Sequence, residues 1–138
     1  MCRELSISYV NYAPVVRGFL TGTIPSQDAL VDGDGRRNHP RFAPENFAQN
    51  KALLVPLQAV AAAHGRVMAQ VAIAWTLAQG QVIVPIPGTE RRPYLGENIA
   101  AAELSLTAEE MAALSAAFEP NVTAGDRYPE GQMKRVGI

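Results

Sequence analysis

Two arginines stand directly after a Gly-Thr pair in Val82-Ile-Val-Pro-Ile-Pro-Gly-Thr-Glu-Arg-Arg-Pro-Tyr-Leu-Gly-Glu-Asn98, and the pattern has the makings of an anion site. Gly88 lets backbone amides come close to an anion, and Thr89 adds a hydroxyl donor. Arg91 and Arg92 bring guanidinium forks that grip a phosphate. A helix opening near Pro93 turns its free N–H groups and positive dipole end toward the same place. One turn on, Glu97 and Asn98 offer an acceptor and an amide to a ribose or adenine edge. Together these groups suit a phosphorylated nucleotide. A solvated turn whose arginines pair with Glu90 or Glu97 accounts for the same residues, and both readings stand at this point.

The other chemistry-bearing residues are sparse. Asp32-Gly-Asp-Gly35 starts like a calcium loop, but Ala43 occupies the position that needs a bidentate Glu, so no metal is assigned. His39 lies in a loop without a partner at ligand spacing. His64 precedes a helix-ending glycine, where a cation complements the dipole. Tyr9, Tyr12 and Lys51 have no spacing that joins them in an acid–base pair. Cys2 is the only cysteine, which leaves no disulfide framework or zinc cluster and makes cytoplasm the default compartment.

These residues must be positioned by one ordinary domain of 138 residues, 48% hydrophobic and 18% charged. The net charge of −1 argues against general phosphate-backbone binding. A small helical DNA-binding protein is excluded on the same ground, because the helix over 108–118 carries two glutamates and no Lys or Arg. No signal core opens the chain, and no apolar run approaches the ~20 residues that span a bilayer. A soluble protein with no nucleic-acid or membrane partner is expected.

Residues 1–8 read as a helix end, and Ile7–Tyr12 as a strand stopped by Pro14. The composition of 18–44 is that of a mobile loop. Glu45–His64 reads as one helix, kinked by Pro56 and ended by Gly65. A second helix covers Ala69–Gln79, with Met68, Val71, Ala72 and Trp75 on one apolar face. Val82–Ile86 is a short apolar strand of the type buried on both faces of a parallel sheet. Pro93–Ala101 suits a helix with proline in its first turn. Leu106-Thr-Ala-Glu-Glu110 is a capping box, with Thr107 as N-cap and Glu110 at N3. Leu106 and Met111 are placed for its staple, and Met111, Leu114 and Phe118 continue the stripe. The tail, 119–138, shows no strong periodicity. Strands alternating with helices predict an α/β fold with parallel strands, yet two such strands lack the neighbours their apolar faces require.

Ile86-Pro-Gly-Thr-Glu-Arg-Arg-Pro-Tyr-Leu-Gly-Glu-Asn98 resembles the last barrel strand and nucleotide loop of the aldo-keto reductases. Tyr12-Ala-Pro-Val-Val-Arg-Gly-Phe-Leu-Thr-Gly22 resembles their seventh strand and its loop. Ala69–Trp75, Leu106–Glu110 and Gly125–Glu130 match as well, in family order. The resemblance spans nearly the whole chain and implies the C-terminal part of a (β/α)8 TIM barrel: the last two strands, their helices, and no complete barrel. It implies NADP(H) as cofactor. Tyr12 would stack on the nicotinamide, while Ala13, Val15, Arg17 and Gly18 would follow the pyrophosphate. Gly88, Thr89, Arg91 and Arg92 would meet the 2′-phosphate, and Tyr94, Glu97 and Asn98 the adenosine.

The family's catalytic Asp, Tyr, Lys and His lie in the first half of the barrel, to which nothing here corresponds, so no catalytic residue is assigned. A barrel of roughly 250 residues cannot be drawn from this length. The expectation is an NADP(H)-binding portion that is inactive alone. The alternative is a non-catalytic half-barrel module that pairs with itself or another chain through its open strand edges. Ala13 stands where the family usually has Ser, Val16 where Gly is usual, Val67-Met68 where a Thr-Pro helix start is usual, and Pro56 is unexpected in its helix.

Overall fold

The computed structural model describes residues 1–137. Its two strands, β1 (Tyr9–Tyr12) and β2 (Ile83–Ile86), form a two-stranded parallel sheet. Tyr9 pairs with Ile83 and Tyr12 with Ile86, without a slip. The chain before β1 ends a helical turn: Ser6 has φ 53°, its N–H reaches the Arg3 carbonyl, and the Ile7 N–H reaches that of Cys2. That pair of bonds is a Schellman stop.

The helices are α1 (Pro44–Ala52), α2 (Leu54–Ala63), α3 (Met68–Ala78), α4 (Arg92–Ala100), α5 (Ala108–Ala117) and the short α6 (Glu130–Met133). The single helix anticipated over 45–64 is two, broken at Leu53. Pro56 has no N–H to offer the Ala52 carbonyl, so the chain restarts and places the proline in the first turn of α2, where the missing donor costs nothing. Gly65, at φ 59°, ends α2 as anticipated, with Arg66 N–H on the Ala61 carbonyl at 2.9 Å.

Helix α3 is the centre of the molecule. Ala69, Val71, Ala72, Ile73, Ala74 and Thr76 are all buried, because α2, α4, β2 and the turn after β1 surround it. The one-sided face read from the sequence understates this burial; a helix with no charged residue is apolar nearly all round. Half a capping box starts it: Gln70 Oε1 accepts from Val67 N–H at 3.1 Å, and valine has no oxygen to return the bond.

Residues 18–44, loop-like by composition, hold four short 3-10 turns within Val16–Phe42 and bury Phe19, Leu30 and Phe42. Phe19 meets Phe42 edge-on, ring centroids 5.3 Å apart, and Phe47 of α1 at 5.2 Å. Sparse aromatics every few residues give no period to read, yet they hold this segment against α1, α3 and the core those helices share with α2.

The expectation that both strand faces are buried is corrected. Alternation puts Val10, Tyr12, Val84 and Ile86 on one face, and they are 56%, 54%, 46% and 48% exposed. The other face, with Asn11, Ile83 and Pro85, is half-covered by the helices. A β-branched strand sequence records what the strand is built to bury, and no described residue covers this face.

Candidate functional site

The parallel register brings the turns that leave β1 and β2 to one end of the sheet. After Tyr12, the backbone enters the left-handed region repeatedly: Ala13 at φ 53°, Val16 at 49°, Arg17 at 55° and Gly18 at 88°. For β-branched Val16 this is a strained conformation, costing about 1–3 kcal/mol. The position is the one where the family that the sequence resembles usually has glycine. Val16 N–H on the Ala13 carbonyl (2.8 Å) and Gly18 N–H on that of Val15 (3.0 Å) close two tight turns. Thr21 Oγ1 donates to the Gly18 carbonyl at 2.6 Å.

Arg36 straps this turn from outside. Its Nη1 donates to the Arg17 carbonyl at 3.2 Å. Asp34 holds the guanidinium, accepting from Nε at 3.0 Å and from Nη2 at 2.6 Å, and also takes the Arg36 backbone N–H at 2.9 Å. The side-chain hydrogen bonds from Arg36 hold the Asp34 carboxyl down to about 2. The sequence reading passed over this pair, although Asp34-x-Arg36 is a recognisable turn with an N-cap.

The turn after β2 is open. Gly88, Thr89, Arg91, Arg92 and Tyr94 are exposed; Glu97 and Asn98, inside α4, are half-buried. Thr89 Oγ1 donates to the Arg91 carbonyl at 3.2 Å, and the Arg91 guanidinium lies 5.9 Å from the Tyr94 ring centre. Pro93 sits in the first turn of α4, whose opening N–H groups have no side-chain cap. Helix α4 is fixed to α3 by Gln70 Nε2, which donates to the Glu97 carbonyl at 3.1 Å. The pairing of Arg91 or Arg92 with Glu90 or Glu97 is not formed: among the described residues neither guanidinium lies within 4.0 Å of a carboxylate. A Cβ on Gly88 would meet nothing within 4 Å, so no neighbour among the described residues demands glycine there.

A cleft of about 320 Å³ opens beside the first turn and takes in Tyr12, Ala13 and Arg17. Val15, Gly18 and the β2-side residues do not line it. The structure thus gathers three of the nucleotide candidates in one cavity and leaves the second group on the surface at the same sheet end. The cleft also holds Arg41 and Arg127, which sequence reading missed because they come from a 3-10 turn and from the tail. Buried Asn50 joins those two segments. Its Nδ2 donates to the carbonyls of Arg41 (3.0 Å) and Ala124 (2.9 Å), and its Oδ1 accepts from Ala124 N–H at 2.8 Å.

Neither histidine belongs to a metal site; no group of three metal-ligating side chains occurs among the described residues. His39 packs on Tyr128, ring centres 6.0 Å apart, and burial, then the charge of Arg17, pushes its pKa down. His64 does more than face a helix dipole: its Nε2 lies 2.8 Å from Glu110 Oε1. Among the described residues, no helix is long and apolar enough to cross a membrane.

The chain is 41% identical over 135 residues to "Aldo-keto reductase yakc [NADP(+)]" of Schizosaccharomyces pombe (strain 972 / ATCC 24843), covering 98% of this chain and 40% of that protein. It is 40% identical over 125 residues to "Aldo-keto reductase str7" of Strobilurus tenacellus, covering 91% of this chain and 37% of the relative. It therefore spans about two fifths of the length of these relatives. The model of the Aldo/keto reductase family matches residues 1–119, and with that extent of match the chain belongs to the aldo/keto reductase family.

Proposed function

We propose that the two turns at the shared sheet end form the NADP(H)-binding part of an aldo-keto reductase, and that β1 and β2 are the last two strands of its (β/α)8 barrel. The observation that carries this reading is the in-register parallel pair, which puts the Tyr12–Gly18 turn and the Gly88–Arg92 turn side by side. Two further features support it. Arg91 and Arg92 have no carboxylate partner among the described residues, and the space before Gly88 is open to a bound phosphate. The residues present fit the cofactor: Tyr12 offers a ring face, Arg17 a cation near the pyrophosphate path, and Gly88, Thr89, Arg91 and Arg92 a cradle for the 2′-phosphate. Tyr94, Glu97 and Asn98 border the adenosine; Ala13, Val15 and Gly18 supply backbone.

Bound NADPH supplies a hydride to a carbonyl carbon. This chain's contribution is to hold and orient it, with the arginines selecting the phosphorylated form. The 138 residues contain no assigned proton donor, so by themselves they do not reduce carbonyls. Protein-fluorescence titration tests the reading: NADPH binds more tightly than NADH, and Arg91→Gln with Arg92→Gln removes the difference. Equal affinities, or no binding, overturn the assignment. Turnover of 4-nitrobenzaldehyde with NADPH by the purified chain would overturn the proposed inactivity.

The exposed Val10, Tyr12, Val84 and Ile86 face favours a second reading, a non-catalytic module that associates with itself or another chain. Sedimentation velocity separates the two: concentration-dependent association supports the module, and a monomer with one sharp unfolding transition counts against it.

A further inference from the structure

The cleft beside β1 gathers cations from three remote parts of the chain. Arg17 comes from the turn after β1, Arg41 from the 3-10 turn before α1, and Arg127 from the tail. The guanidinium carbons of Arg17 and Arg127 lie 5.0 and 5.7 Å from the centre of one ring, that of Tyr128. Arg41 Nε donates to the Gly125 carbonyl at 3.4 Å, two residues before Arg127. None of the three is within 4.0 Å of a carboxylate among the described residues. Among the described residues Asp126 is the acid that acts on Arg41, and it is outweighed: burial, then the charges of Arg127 and Arg17, push the Arg41 guanidinium below its ordinary pKa.

Like charges drawn together without counter-ions disfavour the fold unless an anion enters among them. The rest of the cleft is not shaped for a bare ion. Its other wall is Leu57, Ala72, Trp75, Leu114 and Phe118, an apolar surface from α2, α3 and the end of α5. Asn11 also lines the cavity, and its buried Oδ1 has no hydrogen-bond partner among the described residues. The two orientations of an amide are interchangeable, so Asn11 is able to turn its NH2 toward an acceptor in that space.

We propose that this cleft is a binding site for a small organic acid, its carboxylate held by Arg17, Arg41 and Arg127 and its carbon chain lying on the Trp75–Phe118 wall. The site runs into the helix layer, away from the Gly88–Asn98 turn, and shares with the nucleotide reading only the Tyr12–Arg17 turn. It does not depend on that reading.

Trp75 is the only tryptophan, so its emission reports occupancy directly. The full chain is titrated with sodium hexanoate, 1-hexanol and inorganic phosphate, and separately with NADPH. Hexanoate shifts Trp75 emission saturably and binds about tenfold or more tightly than hexanol or phosphate, since only it satisfies both walls. Arg127→Gln, an exposed position where folding is not at stake, weakens hexanoate about tenfold and leaves the NADPH titration unchanged. Absent hexanoate binding, hexanol or phosphate binding as well as hexanoate, or an Arg127→Gln variant with wild-type affinity for hexanoate overturns the proposal. Equal weakening of hexanoate and NADPH also overturns it, because the arginines then belong to the cofactor. Hexanoate binding with no NADPH binding leaves this site standing and removes the nucleotide assignment instead.

Discussion

His64 Nε2 and Glu110 Oε1 lie 2.8 Å apart, joining the C-terminal end of α2 to the first turn of α5 across 46 residues. Glu110 does two jobs, because its Oε2 also accepts the Thr107 N–H at 2.8 Å while Thr107 Oγ1 accepts the Glu110 N–H at 3.2 Å. One carboxylate therefore starts α5 and docks it.

The Thr107 N–H first, and His64 second, lower the Glu110 pKa below its ordinary 4.5. A depressed carboxylate stabilises the fold above the unfolded value, and that stability is lost as pH falls through the folded one. Glu110→Gln is therefore expected to flatten the loss of stability below pH 4.5, while near neutral pH it keeps the cap and loses the His64 contact. Urea unfolding at a series of pH values reads both effects.

Asp34 carries a similar dependence at lower pH. Its pKa of about 2 sets the window between the ordinary 3.8 and about 2, in which its grip on Arg36 is released as pH falls. Asp34→Asn is expected to free Arg36 from its bidentate hold and to loosen the Arg17 turn at every pH above 4. Limited proteolysis at Arg36 and Arg37 checks this, with faster cleavage in the variant and unchanged cleavage elsewhere.

Gly125→Ala is expected to detach the tail. The residue has φ 80°, and a Cβ would fall 2.6 Å from Asn46 Nδ2 and 2.8 Å from the Pro40 backbone. The backbone conformation and the clash together cost about 1–3 kcal/mol. Hydrogen exchange at Ala124 N–H, now bound by Asn50, reports the release; unchanged protection would show that the tail absorbs the extra carbon.

Leu57 and Val55 lie on the same helix in opposite surroundings, 1% and 64% exposed. Leu57→Ala is expected to cost about 2–5 kcal/mol, and Val55→Ala to stay within about 0.5 kcal/mol. Chemical denaturation of the two variants measures the difference, and equal losses would mean that α2 is not seated as described.

Much of the local structure was legible along the chain. Gly65, the Thr107–Glu110 box and the apolar run before Pro87 each act within a few residues, so their outcome is set by neighbours in sequence. Pro56 was legible as a break but not as a restart, because whether a proline falls inside a helix or in its first turn depends on where the preceding helix stops. The segment 18–44 was opaque for another reason. Its three buried apolar side chains have no helical or strand spacing, and only the core assembled from α1, α2, α3 and α5 gives them something to bury against.

The sequence by itself determined that this chain is α/β, where its strands and most helix ends fall, and that two arginines follow Gly-Thr at the turn after β2. Those properties rest on short-range sterics, hydrogen bonding and periodicity. Only the tertiary structure decided that Arg17, Arg41 and Arg127 line one cleft, that His64 meets Glu110, and that one face of the sheet stays open. Each of those depends on residues dozens of positions apart meeting in space, and no spacing along a chain encodes such a meeting until the helices have packed.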